Sequence, residues 1–97
     1  MEYRNDDTGI RLTVIDRPTV RQQLAYFSEV ANAQGQKMFL RYWAGAVELI
    51  EEWECEEFPD HKVSLDEVHN PAIVQIVMWA GMRVMEHMNA LEEVPKD

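Results

Sequence analysis

Three groups of side chains have the right types for chemistry. Cys55, His61 and His69 lie within fifteen residues of one another among acids, a composition that can hold a transition metal. Structural zinc, however, takes four ligands at recurring spacings, and these residues match none of those patterns. They read instead as loop histidines and a thiol in an acidic neighbourhood, which raises a thiol's pKa and blunts its reactivity. No cofactor is implied. Glu48, Glu51, Glu52, Glu54, Glu56, Glu57 and Asp60 form the second group, seven carboxylates with no base between them. A carboxylate pair works as acid and base only when its surroundings push the two pKa values apart. A solvated acidic face does not do that, so this cluster reads as a surface that attracts basic partners. The third group is Glu86 with His87 on the last apolar segment, where no Ser or Cys nucleophile sits in a motif beside them. The chain therefore reads as non-enzymatic, and its function must lie in its surfaces.

Charge placement narrows the choice. The chain has 97 residues and a formal net charge of -9. Residues 1–47 hold five acids and six bases; residues 48–97 hold the other thirteen acids and only Lys62, Arg83 and Lys96. Binding to DNA or RNA needs clustered Lys and Arg to neutralise phosphate, so direct nucleic-acid binding is disfavoured. A basic protein partner, or solubility for a sticky apolar surface, fits better. The most apolar run, Ile73 to Met85, is broken by Gln75 and Arg83 and is too short to span a bilayer. The first residues lack the apolar stretch of a signal peptide. The lone Cys55 allows no intrachain disulfide and fits a reducing compartment. The expectation is a soluble, cytoplasmic protein without membrane contact.

The elements that position these residues are mostly helical by pattern. Residues 1–8 are polar and read as a disordered tail, with a single helical domain over 9–97. Ile10, Leu12 and Val14 alternate with Arg11 and Thr13, predicting one short extended segment with one apolar face and no obvious partner strand. Such a strand could pair with its copy in a second chain, dock on the helices as an extended arm, or be donated to a partner sheet. Thr19 with Gln22 three residues on is a capping box that opens a first helix. Val20, Leu24, Phe27 and Ala31 share one face of it. Gly35 is available for a left-handed stop.

A second helix is predicted from Gln36 or Lys37 to about Glu56. Phe39, Trp43, Ala46, Ile50 and Trp53 form its stripe, and the acidic ridge lies opposite. Like charges at three- and four-residue spacing, crowded at a helix C-terminus, disfavour that end. Ser64-Leu65-Asp66-Glu67 is a second capping box, enough for one helical turn. Asn70-Pro71 opens the last helix, running to Leu91 or Glu92, and Val94-Pro95-Lys96-Asp97 closes it. The fold class is thus mainly α: a small bundle of three main helices plus a short helical turn, preceded by one short extended segment.

The apolar surface of the last helix is too wide for one packed face. Ile73, Val77, Ala80, Val84 and Leu91 make one stripe; Val74, Met78, Gly81, Met85 and Met88 make another. Met fills irregular gaps in cores, and it also makes adaptable surfaces for partner helices. Candidate partner-binding residues are Met78, Trp79, Met82, Met85 and Met88, with Glu48, Glu51 and Glu52 on the acidic ridge. Trp-Ala-Gly occurs twice, at Trp43-Ala44-Gly45 and Trp79-Ala80-Gly81, a pattern that suits close helix packing.

The order Arg17-Pro18-Thr19-Val20-Arg21-Gln22, then Tyr42-Trp43-Ala44-Gly45 through Glu51-Glu52-Trp53, Ser64-Leu65-Asp66-Glu67-Val68, Asn70-Pro71, Trp79-Ala80-Gly81 and Val94-Pro95-Lys96 resembles small phage or prophage proteins of the tail assembly chaperone type. The likeness spans about residues 10–97. It implies an α-helical, oligomeric protein that binds the helical tape measure protein in the host cytoplasm before the tail tube assembles, with no active-site residues. Two other readings stand beside it. One is a small acidic inhibitor or nucleic-acid mimic; the other is a structural homodimer paired through Ile10–Ile15.

Overall fold

In the computed structural model, residues 1–92 are described. The order is β1 (Glu2–Asn5), β2 (Ile10–Val14), α1 (Val20–Asn32), α2 (Met38–Ala46), β3 (Ile50–Glu54) and α3 (Ile73–Glu92), with a single 3₁₀ turn at Leu65–Glu67. The three strands form one antiparallel sheet in the order β1-β2-β3. This corrects the mainly α expectation: the described residues form a mixed α and β fold, three helices with a three-stranded sheet.

The correction has two causes. The first is at the N-terminus. Glu2-Tyr3-Arg4-Asn5 shows no apolar alternation, yet it pairs with β2 from Glu2 opposite Thr13 to Asn5 opposite Ile10. Its place comes from the turn over residues 6–9, which closes through Gly9 at φ +71°, a conformation that glycine adopts without strain. The segment expected to be a disordered tail is therefore an edge strand. The second cause lies in residues 47–56, expected as the end of a long helix. The helix stops at Ala46, and Ile50–Glu54 pairs with β2 instead.

Ile50 and Trp53 stand three residues apart, which in a regular strand would set them on opposite faces. Val14 pairs with Ile50, Thr13 with Glu52 and Leu12 with Trp53, so the β3 strand carries one extra residue, Glu51. That bulge lets Ile50 and Trp53 face inward together. The same spacing imitates a helical stripe. The strand solution also separates the carboxylates, sending Glu52 and Glu54 outward, where Arg11 pairs with Glu54.

The core lies between the sheet and the helices. Ile10, Leu12 and Val14 meet Ala46, Leu49, Ile76, Val77, Ala80 and Val84, all buried. With β1 on one side and β3 on the other, neither edge of β2 is free, so the Ile10–Ile15 segment is not available for pairing with a second copy. Trp43, Trp53 and Phe58 pack ring against ring, with Trp43 and Trp53 centroids 5.5 Å apart. The Trp53 indole N–H donates to the Phe58 carbonyl at 2.6 Å and pins the loop after β3.

The helices form a row with α2 in the middle. Gly45 sits on the α1 side, where an added Cβ would fall 2.7 Å from Val30 Cγ2 and 2.8 Å from the Tyr26 ring. Gly81 sits on the other side, where a Cβ would fall 3.1 Å from the Trp43 backbone nitrogen. The start signals hold in full at α1; at the 3₁₀ turn the Ser64 side chain accepts from Asp66 N–H while Glu67 N–H goes to the Ser64 carbonyl, and α3 opens at Ile73, two residues after Pro71. Thr19 and Gln22 make the reciprocal capping box. Gly35 has φ +95°. The Asn70 side chain accepts from Ala72 N–H at the turn into α3. Val94-Pro95-Lys96-Asp97 lies outside the described residues.

α1 departs from expectation in one respect. Val20 and Leu24, on the apolar face read from the spacing, are 72% and 61% exposed, and Phe27 is exposed beside them. Tyr26, Val30 and Ala33, spaced by four and three residues, turn inward instead. They win because the bare backbone at Gly45 lets them approach α2 closely.

Candidate functional site: the open face of α3

α3 buries Ile73, Ile76, Val77, Ala80, Val84, His87 and Met88. At 3.6 residues per turn, Val74, Met78 and Met82 fall in a second row about a third of a turn away. All three are exposed, Met78 at 43% and Met82 at 37%. Val74 also lines a cleft of about 230 Å³ with Phe39, Leu40, Leu65, Val68, Ile73 and Val77. The cleft is built where the N-terminal ends of α2 and α3 meet the 3₁₀ turn. It is smaller than the roughly 300–1,000 Å³ of small-molecule sites, and its size suits an apolar side chain. Asp66 and Glu67, on the turn that contributes Leu65, are exposed. The arrangement is an apolar strip about two helical turns long that runs into a cleft with acids beside it.

The structure divides the residues singled out from sequence. Met78 and Met82 lie on the strip, and Met85 is half-buried at its edge. Met88 is 3% exposed and belongs to the core. Trp79 is half-buried on a different flank of the helix, where the Arg83 guanidinium lies 5.9 Å from its ring centroid. Glu48, Glu51 and Glu52 are exposed but lie on the turn after α2 and on β3, so they form no helical ridge and do not share an element with the methionines. No spacing in the sequence joins Val74, Phe39, Leu40, Leu65 and Val68 into the cleft they line. The Val20-Leu24-Phe27 row shares one helical face, and that face is exposed. Only the excess apolar width of the last helix signalled an open face.

The chemistry-bearing residues are scattered. Cys55 is buried, His69 is exposed, and the His61 ring lies 5.5 Å from the Trp53 ring. Burial pushes the His61 pKa below its ordinary value, helped by Lys62 and opposed by Asp60. Among the described residues, no three His, Cys, Asp or Glu side chains come close enough to hold a metal ion. His87 is a structural residue. Its Nε2 lies 3.0 Å from the Ile15 carbonyl, which can only accept, so this nitrogen carries the proton. Nδ1 faces the Tyr3 hydroxyl at 3.5 Å, joining α3 to β1. Burial first, then the nearby Glu86 and Asp16 charges, raises the Tyr3 pKa, with Arg83 opposing.

No protein-family model, curated protein or solved structure matches the chain. Among the described residues, no helix is long and apolar enough to cross a membrane.

Proposed function

We propose that the chain is a non-enzymatic protein-binding module of the tail assembly chaperone kind, whose α3 face holds apolar helical segments of a tape measure protein. The observation that carries this reading is the exposed Val74-Met78-Met82 row continuing into an apolar cleft. A partner helix can lay its own stripe along that row and anchor one side chain in the cleft. The flexible methionines let the surface fit clients of varied sequence. The net charge of -9 keeps such a surface soluble.

The test mixes the purified chain with an aggregation-prone tape measure fragment from the same gene neighbourhood. The wild type suppresses light scattering at equimolar ratio, and Met78→Asp/Met82→Asp does not. A wild type without effect at tenfold excess sinks the proposal.

The acidic segment favours a second reading, an inhibitor or mimic that occupies a basic site. Glu48, Glu51, Glu52, Glu56 and Glu57 are all exposed on or beside β3. Salt-sensitive binding to a basic protein, lost in Glu51→Gln/Glu52→Gln, would support it. An edge strand rimmed with charge already has a structural purpose, since it blocks sheet-to-sheet aggregation. That ranks the second reading below the first.

A further inference from the structure

Two apolar helix faces are open in one chain. α1 and α3 both pack on α2, through the close approaches at Gly45 and Gly81. The α1 face carries Val20, Leu24 and Phe27; the α3 face carries Val74, Met78 and Met82. The spacings are similar but not identical: four then three residues on α1, four then four on α3. The charges at their N-terminal ends are opposite. Arg17 and Arg21 are exposed at the start of α1, and Asp66 and Glu67 are exposed ahead of α3. None of these four takes part in an ion pair among the described residues.

We propose that α1 of one copy docks on the α3 face of a second copy, head to tail. With the two helices parallel, Val20 lies beside Val74 at the cleft, Leu24 beside Met78, and Phe27 beside Met82. Arg17 and Arg21 then meet the neighbour's acidic turn. The reverse orientation would carry the arginines to the C-terminal end of the strip, away from Asp66 and Glu67. Because the two surfaces differ, each added copy presents a fresh α1 and a fresh α3, so association continues until a ring closes or a filament grows. The contact uses the α3 face assigned above to a client helix, and it shields that face when no client is bound.

The test uses two full-length variants at exposed positions, Leu24→Asp on α1 and Met78→Asp on α3, each checked for native circular dichroism. Wild-type mass measured by light scattering rises with concentration beyond that of a dimer and falls as salt is raised. Each variant alone is monomeric. Their equimolar mixture gives twice the monomer mass and stops there, because one intact α1 meets one intact α3. Val20→Glu with Met82→Glu repeats the experiment if either first variant loses its fold. A wild type that stays monomeric overturns the inference, as does a mixture that stays monomeric. A Met78→Asp protein that associates as the wild type does overturns it in favour of symmetric α1 pairing. Client protection is read separately in Leu24→Asp, whose α3 face is intact. Protection by Leu24→Asp together with a wild type that stays monomeric defeats this inference alone, and wild-type association without protection by Leu24→Asp defeats only the client reading.

Discussion

Replacing Gly45 with alanine sets two effects of similar size against each other, and the structure decides the sign. In a helix interior alanine is favoured over glycine by about 0.8–1.0 kcal/mol. The new methyl carbon would sit 2.7 Å from Val30 Cγ2 and 2.8 and 2.9 Å from two atoms of the Tyr26 ring. Carbon atoms rest at about 3.5–4.0 Å, so α1 must retreat or two packed side chains must leave their rotamers. Overpacking of this kind costs about 1–3 kcal/mol. The balance is a net loss of up to about 2 kcal/mol, where an exposed helix site would show a gain. At Gly81 the nearest atom is 3.1 Å away and the next 3.4 Å, so a smaller displacement suffices. Gly81→Ala should therefore lie closer to neutral than Gly45→Ala. Urea unfolding followed by tryptophan fluorescence measures both, and a loss of 1 kcal/mol lowers the melting temperature by about 4–8 °C in a domain of this size. Val30→Ala removes the nearest clashing atom. In that background Gly45→Ala should become less costly by at least about 0.5 kcal/mol, the coupling expected of residues in contact. A Gly45→Ala protein more stable than wild type, or effects of Gly45→Ala and Val30→Ala that simply add, would refute the close approach of α1 to α2.

Two further outcomes follow from the same geometry. Thr19→Ala removes the acceptor for Gln22 N–H and should cost about 1 kcal/mol, the usual value of such a cap, read by chemical denaturation. The His61 pKa is depressed in the folded protein, so the unfolded chain binds more protons just below pH 6.5. Stability should then decline as pH falls from about 6.5 towards the folded value, and His61→Phe should flatten that slope. A His61 ring resonance titrating at or above 6.5 would contradict the assignment.

The local chemistry of the chain was legible where one residue type has one use. The Thr19-Gln22 box, the left-handed Gly35, the Asn70 cap and the Ile10-Leu12-Val14 face all stand in the structure as their types dictate. Two strands were not legible, for different physical reasons. β1 has no hydrophobic alternation, because an edge strand can be held by a hairpin and its ladder without burying much of itself. β3 was disguised by its bulge, which turns the three-residue spacing of Ile50 and Trp53 into a shared inward face. A warning was present in the charges. The carboxylates from Glu48 to Glu57 crowd what would have been a helix C-terminus, where they are least welcome. The chain resolves that conflict by ending α2 at Ala46.

The candidate site was half legible for a related reason. Surplus apolar width showed that α3 has more than one face to cover, but not which residues belong to which face. That depends on where α2 sits, and α2 is placed by the two Trp-Ala-Gly segments. Trp43 lies in the core while Gly45 admits α1; Gly81 admits α2 while Trp79 stays at the edge under Arg83. Each glycine thus serves a different seam. A row of three helices joined by two tight seams satisfies the middle helix on both sides. It leaves each outer helix with a face that no other described element covers. The exposed rows on α1 and α3 are a direct result of that placement, and a second molecule must meet them if they are to be covered.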